Sequence, residues 1–298
     1  MKLFSSPHSV RLPMTFASPA EGISLVKENE ADFDARLNAA AEAICADCVS
    51  HGVKVIRLSG PSCAGKTTTA HKLTSVLEAA GRVVYPISID DFFYGRDVLE
   101  AMADASPDGE LDYDSVAAID LPALAECVRD LMEKGSARIP VFDFVTGYTT
   151  EYRDLTVPEG VEPIFLFEGI QAVYPEVAAL FVGVPERSIF INVMKETVLV
   201  SSDGTERVYT PEDIRLMRRL VRDEAKRELL PISPSPSGTA SAPTRRSPFT
   251  PTPIPATTAL TPTWPSTCIC WHPVCAASWR SIPVTGMRWR PPAAFSPP

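Results

Sequence analysis

Residues Gly60-Pro61-Ser62-Cys63-Ala64-Gly65-Lys66-Thr67 set two glycines, a lysine and a hydroxyl at the spacing G-x-x-x-x-G-K-[ST]. Glycine lets the backbone curl so that successive N–H groups point inward at phosphate oxygens, and a helix starting at Lys66 adds its positive end. In such a loop Gly60, Ser62, Cys63, Ala64, Gly65, Lys66, Thr67 and Thr68 surround the phosphates of ATP. Lys66 reaches the β- and γ-phosphates, and the Thr67 hydroxyl ligates Mg²⁺. The pattern speaks for nucleotide binding and is silent on the reaction.

A second constellation is Ile87-Ser88-Ile89-Asp90-Asp91-Phe92-Phe93, an apolar run that ends in two acids and two aromatics. At the carboxyl edge of a sheet, one carboxylate can orient and deprotonate an acceptor hydroxyl while the other helps to position the metal. The third is a set of arginines at 215, 218, 219 and 222, spaced for one side of a helix in a chain that is otherwise acidic. Their planar guanidinium groups suit a lid that binds transferring phosphate and keeps water out. A solvated helix face is the plainer alternative.

These residues need elements to hold them. Val53–Leu58 is β-branched and apolar between Gly52 and Gly60, and predicts a strand; Lys66–Ala80, stopped by Gly81, predicts a helix. Val83–Ser88, Glu162–Phe167 and Arg187–Val193 predict further strands. Asp32–Ser50, Leu121–Lys134 and Pro211–Arg227 carry apolar residues at helical spacing. Strands alternating with helices imply an α/β fold, a mostly parallel sheet with helices on both faces of the kind found in P-loop NTPases. In such sheets ligands bind at the carboxyl ends of the strands, which is where the loop and the acids fall.

The composition of the 298-residue chain sets limits. A net charge of −9 and a pI near 5.1 argue against a broad basic surface for nucleic acid. No run of 18 or more apolar residues predicts a membrane span, and the first residues lack the apolar core of a secretory signal. Seven cysteines in this length do not suggest a disulfide scaffold, so a reducing, cytoplasmic setting is expected. Residues 1–30, with scattered Ser and Pro, read as a poorly ordered lead-in to a P-loop domain at 31–227.

The six blocks now in view resemble the uridine kinase and phosphoribulokinase family. They are the phosphate loop; the acidic strand end; Leu111-Asp112-Tyr113-Asp114-Ser115-Val116-Ala117-Ala118-Ile119-Asp120; Ile139-Pro140-Val141-Phe142-Asp143-Phe144; Phe167-Glu168-Gly169-Ile170; and Arg215–Asp223. The resemblance implies an ATP- and Mg²⁺-dependent kinase that phosphorylates the 5′-hydroxyl of a nucleoside such as uridine or cytidine. It implies Asp90 as general base, with Lys66, Arg219 and Arg222 also catalytic. It implies Asp114, Phe93, Phe142 and Arg227 around the acceptor, and Thr67, Asp91 and Glu168 near the metal. The pattern departs from the family at Gly147-Tyr148-Thr149-Thr150, where His or Arg is usual, and at Ser115-Val116 in place of His-Pro. Base selectivity therefore stays open. Rival readings are another small-molecule acceptor within the superfamily and an inactive nucleotide-binding protein. The expected partner is a small nucleoside-like substrate, with no nucleic acid and no membrane; self-association into a homo-oligomer is left open.

Residues 228–298 differ in kind. They hold 16 of the 29 prolines and all four tryptophans, yet no lysine, no aspartate and a single glutamate. Cys268, Cys270, His272 and Cys275 lie close together but lack a second spaced pair for zinc, and Cys45 and Cys48 fall three apart on a predicted helix, which is ordinary core usage. Codon arithmetic suggests another origin. Joining the third base of each codon to the first two of the next, Trp264-Pro265 must give Ala, Cys270-Trp271 Leu and Trp271-His272 Ala. The intervening pairs from Thr267 give Leu/Met/Val, Tyr/His and Leu/Met. The hidden frame reads as an amphipathic helix, so the segment is expected to be a disordered, Pro-rich, out-of-frame tail, with a genuine Pro-rich linker or partner-binding segment as the competing reading.

Overall fold

The computed structural model describes residues 9–105, 113–226 and 267–271. In chain order it contains β1 (Val10–Pro13), α1 (Pro19–His51), β2 (Val55–Ser59), α2 (Lys66–Ala79), β3 (Val83–Ser88), α3 (Arg96–Asp104) and α4 (Leu121–Lys134). These are followed by β4 (Ser136–Asp143), β5 (Tyr148–Thr156), β6 (Pro163–Glu168), α5 (Pro175–Ala178), β7 (Glu186–Val193), β8 (Thr197–Val200), β9 (Glu206–Tyr209), α6 (Pro211–Lys226) and β10 (Thr267–Trp271). No helix among the described residues is long and apolar enough to cross a membrane.

The central sheet has the order β10-β7-β2-β6-β3, and every pairing in it is parallel. Because side chains alternate across a strand, each buried strand feeds two cores. Ile56, Leu58, Ile164 and Leu166 pack with Phe33, Leu37 and Ile44 of α1 and Leu73 and Leu77 of α2. Val55, Phe165 and Phe167 point the other way, onto Leu124, Cys127, Val128 and Leu131 of α4. Burial on both faces explains why these strands read as continuous apolar runs. Cys45 and Cys48 sit against the first of these cores as free thiols.

Arg57 interrupts that apolar pattern on β2. It is 7 % exposed. Its guanidinium forks onto Glu186 (Nε–Oε2 2.6 Å, Nη2–Oε1 2.5 Å) and donates a third bond to the Ala172 carbonyl at 2.6 Å. A buried cation is tolerated here because its charge and three of its donors are met.

Several expectations need correction. Residues 1–30 are more than a loose lead-in. Val10–Pro13 pairs in parallel with β8, and α1 starts at Pro19, thirteen residues before Asp32. Ser18 caps it by accepting from the Glu21 amide at 3.3 Å, with proline at the first turn, where a missing N–H costs nothing. Two further sheets also stand outside the sequence reading, the β4–β5 antiparallel hairpin and the small β1-β8-β9 sheet. Within the segment read as a disordered tail, Thr267–Trp271 forms β10, which pairs in parallel with β7. The rest of 228–298 lies outside the described residues.

The Arg57 network yields a stability test. Arg57→Ala leaves Glu186 and the Ala172 carbonyl without their donor and is expected to cost about 3 kcal/mol in urea unfolding. The double variant Arg57→Met/Glu186→Leu is expected to recover most of it, since no uncompensated charge is left behind.

Candidate active site

The sheet's carboxyl edge gathers the chemistry. β2 runs directly into the phosphate loop, whose Ala64 amide donates to the Pro61 carbonyl at 3.1 Å. Cys63 (φ 59°) and Gly65 (φ 103°) adopt the left-handed conformation that turns the chain into α2. Gly60 is required for packing: a Cβ there would stand 2.1 Å from the Ile191 carbonyl oxygen of β7. Thr69 secures the first turn of α2 through its amide and its hydroxyl, both bonded to the Gly65 carbonyl at 2.9 Å. Lys66 is half-buried within this curl, its amine 3.5 Å from the Pro61 carbonyl, while Thr67 and Thr68 face solvent.

β6 delivers Glu168 beside this loop. Its Oε1 accepts from the Thr67 hydroxyl at 3.1 Å and from the Ser88 hydroxyl at the end of β3 at 3.3 Å. Its Oε2 is buried and has no hydrogen-bond partner. Burial pushes the Glu168 carboxyl above the usual range; the nearby Asp90 charge adds to this, while Lys66 and the two hydroxyls oppose it. An enclosed carboxylate oxygen with nothing to accept, next to a threonine hydroxyl, fits a hard divalent cation held by oxygen ligands.

The acids after β3 occupy a 3₁₀ turn, Ile89–Phe92. With about three residues per turn, neighbours project roughly a third of a revolution apart, so Asp90 and Asp91 part company. Asp90 is the one whose charge acts on Glu168. Asp91, expected near the metal, instead accepts from the Phe142 amide at 3.3 Å and lines a cavity of about 390 Å³ between α4 and the hairpin, with Asp120, Asp130, Arg138 and Tyr152. Burial raises its pKa. Gly169 lets the acidic turn pack on β6, since a Cβ at that position would lie 2.8 Å from the Ile89 Cβ.

Past the acidic turn, Phe93 and Phe142 meet with ring centroids 5.7 Å apart. Two rings left out of that set join them. Phe144 lies 6.1 Å from Phe93 and 5.2 Å from Phe142, and Tyr113 lies 6.4 Å from Phe93. Tyr113 and Phe144 are largely exposed, so the cluster presents aromatic faces to solvent. The signal for both was present, because each neighbours an acid in a quoted block. Asp114 stands next to Tyr113 and is exposed. The Asp114 loop is tied to the acidic turn by the Tyr94 amide on the Ala118 carbonyl (3.1 Å) and the Asp120 amide on the Phe92 carbonyl (2.8 Å).

The arginines of α6 divide by face. Arg215, Arg218 and Arg222 are half-buried, on the side that carries buried Ile214, whereas Arg219 is exposed. Arg219 was expected to share a face with Arg222; three positions on a helix keep two residues together only when both fall within the same stripe, and here the stripe is 215, 218 and 222. Arg227 lies outside the described residues.

Glu168 makes a pH prediction. Its folded-state pKa lies above the unfolded value, so the native state holds the extra proton, and stability falls as pH rises from about 4.5 through the folded pKa. Metal-free Glu168→Gln is therefore expected to melt about 2–4 °C higher at neutral pH and to match the parent below the unfolded pKa. An unchanged melting profile across that window would contradict the assignment of a strained, buried carboxyl.

The sequence has relatives among known proteins. It is 31% identical over 173 residues to the uridine kinase of Lactobacillus johnsonii, a match covering 58% of this chain and 69% of that protein. It is 29% identical over 178 residues to the uridine kinase of Borrelia duttonii, covering 59% and 69%. Among solved structures it aligns with the phosphoribulokinase of Rhodobacter spheroides at a TM-score of 0.37 and 22% identity, over 46% of this chain and 50% of that one. Residues 55–228 match the model of the phosphoribulokinase / uridine kinase family, a span that takes in the phosphate loop, both acid positions and the arginine helix, and the chain belongs to that family.

Proposed function

We propose that this kinase transfers the γ-phosphate of ATP to the 5′-hydroxyl of a nucleoside such as uridine or cytidine. The observation that carries the reading is that Glu168 bonds both Thr67 of the phosphate loop and Ser88 at the head of the acidic turn, and that Phe93, which follows this turn, packs with Phe142 and with Tyr113 beside Asp114. Tilted and edge-on aromatic rings, two of them exposed, next to an exposed carboxylate suit a flat base joined to a sugar diol. The curated relatives named above are uridine kinases, which favours the same acceptor class.

In this reading the loop amides and Lys66 bind the β- and γ-phosphates, and Asp114 accepts hydrogen bonds from the sugar hydroxyls. Asp90 takes the proton from the 5′-oxygen as that oxygen attacks the γ-phosphorus and the bond to the β-phosphate oxygen breaks. Thr67 and Glu168 would hold Mg²⁺, which when bound would neutralise phosphate charge. Arg222, with Arg215 and Arg218 on the same face of α6, stabilises charge on the transferring group and keeps water from competing. Asp91 serves the hairpin through the Phe142 amide.

Asp90→Asn keeps the size of the side chain and removes the base. Turnover is expected to fall by a factor on the order of 10²–10⁴, with ATP affinity by calorimetry within about twofold. Retained turnover would remove Asp90 from the mechanism.

We also propose that residues 228–298 are translated out of frame. Besides the codon arithmetic, α6 ends on an exposed apolar stripe of Leu216, Met217, Leu220 and Val221, which no element among the described residues covers. The hidden frame's apolar helix is a fitting cover. Resequencing the DNA across codons 220–298 is expected to reveal a single-base insertion or deletion near codon 227; a clean read of the present frame would refute the idea.

A further inference from the structure

Immediately after Glu168 and Gly169 the chain makes a 3₁₀ turn, Ile170–Val173, whose second residue is Gln171. A glutamine in the apolar run Ile170-Gln171-Ala172-Val173 is out of place unless its amide is used. Gln171 is 1 % exposed. Its Nε2 donates to two successive carbonyls across the cleft, those of Tyr113 at 3.3 Å and Asp114 at 3.5 Å. Its Oε1 is enclosed and has no hydrogen-bond partner. Rotating the amide would set that oxygen against two carbonyl oxygens, so the donor-forward orientation is the favoured one.

The turn itself is anchored from behind. Ser59 of β2 donates to the Ile170 carbonyl at 2.7 Å, and the Arg57 guanidinium donates to the Ala172 carbonyl at 2.6 Å. Both carbonyls flanking Gln171 are therefore pinned to the strand that leads into the phosphate loop. The side chain between them reaches the segment that carries Tyr113 and Asp114. A rigid path of hydrogen bonds thus runs from β2, through the residues following Glu168, to the backbone on the acceptor side of the cleft.

We propose that Gln171 is a positioning residue for the acceptor: its amide fixes the backbone of Tyr113 and Asp114 at the distance from the phosphate loop that the acceptor needs. The inference rests on the reading of Asp114 and Tyr113 as acceptor-binding residues. Gln171 touches neither nucleotide nor acceptor. It acts by removing freedom from the loop before the acceptor arrives, so its effect falls on acceptor binding and leaves the nucleotide side alone.

Two variants test this in the full chain with uridine and cytidine as acceptors. Gln171→Met keeps the length of the side chain without its donor, and Gln171→Glu places an acceptor where the donor was. Either is expected to raise the KM for the nucleoside roughly tenfold, the scale set by a lost buried donor, with kcat within about threefold and the KM for ATP unchanged. Ligand-free hydrogen–deuterium exchange at Tyr113–Ser115 is expected to quicken in the same variants, while the amides of β2 and β6 keep their protection. A nucleoside KM equal to the parent's would overturn the proposal, as would a parallel loss of ATP binding, which marks a purely structural role. If the parent phosphorylates no nucleoside, the proposed acceptor class fails; the exchange measurement then decides the tether by itself, and unchanged exchange overturns it.

Discussion

Glu168 is a carboxylate at the end of a strand buried on both sides, and only one of its two oxygens is satisfied by the protein. Thr67 brings the start of α2 to that oxygen and Ser88 brings the end of β3, so two neighbouring crossovers converge on one side chain. Parallel pairing makes the convergence unavoidable, because every strand of the central sheet ends on the same edge. The remaining oxygen has no partner in the protein. Desolvation of this group is a cost that a bound cation would offset further, and in the proposed reading Mg²⁺ arriving with the nucleotide would supply that charge.

Close approach of backbones supports the same point. Gly60 sits against the Ile191 carbonyl, and Gly169 sits against Ile89, so the phosphate loop and the acidic turn press on the sheet with no room for a side chain. These two contacts set how closely the phosphate loop and the acidic turn pack on the sheet. Neither follows from the flexibility of glycine; each follows from its lack of a Cβ.

Much of this was readable beforehand. β3 and α4 appear with the bounds their apolar patterns predict, and β2, α2, β6, β7 and α6 begin or end within two residues of them, because doubly buried strands and amphipathic helices leave strong periodic signals. The hairpin left none. Much of β5 faces solvent, and Pro140 falls inside β4, so nothing apolar alternates along it strongly enough to read. β1, β8 and β9 are four residues each, too short for a period. The start of α1 was hidden because its signal is a Ser-Pro cap amid other Ser and Pro residues. At the site, residue types were legible and directions were not. Asp90 and Asp91 differ only in which way a 3₁₀ turn sends them, and the arginines of α6 differ only in which side of the helix stays half-buried. Gln171 could have been singled out as a polar residue in an apolar run, but its partners lie 57 and 58 residues earlier in the chain.

The central claim is that the acids at this sheet edge work on a nucleoside hydroxyl and that the phosphate loop serves transfer. Incubation with ATP labelled at the γ-phosphate, Mg²⁺ and either uridine or cytidine, followed by separation of the products, tests it directly. The account predicts label in the nucleoside 5′-monophosphate, dependent on Mg²⁺ and on the nucleoside. Label found only in inorganic phosphate, or retained wholly in ATP whichever nucleoside is supplied, would contradict it.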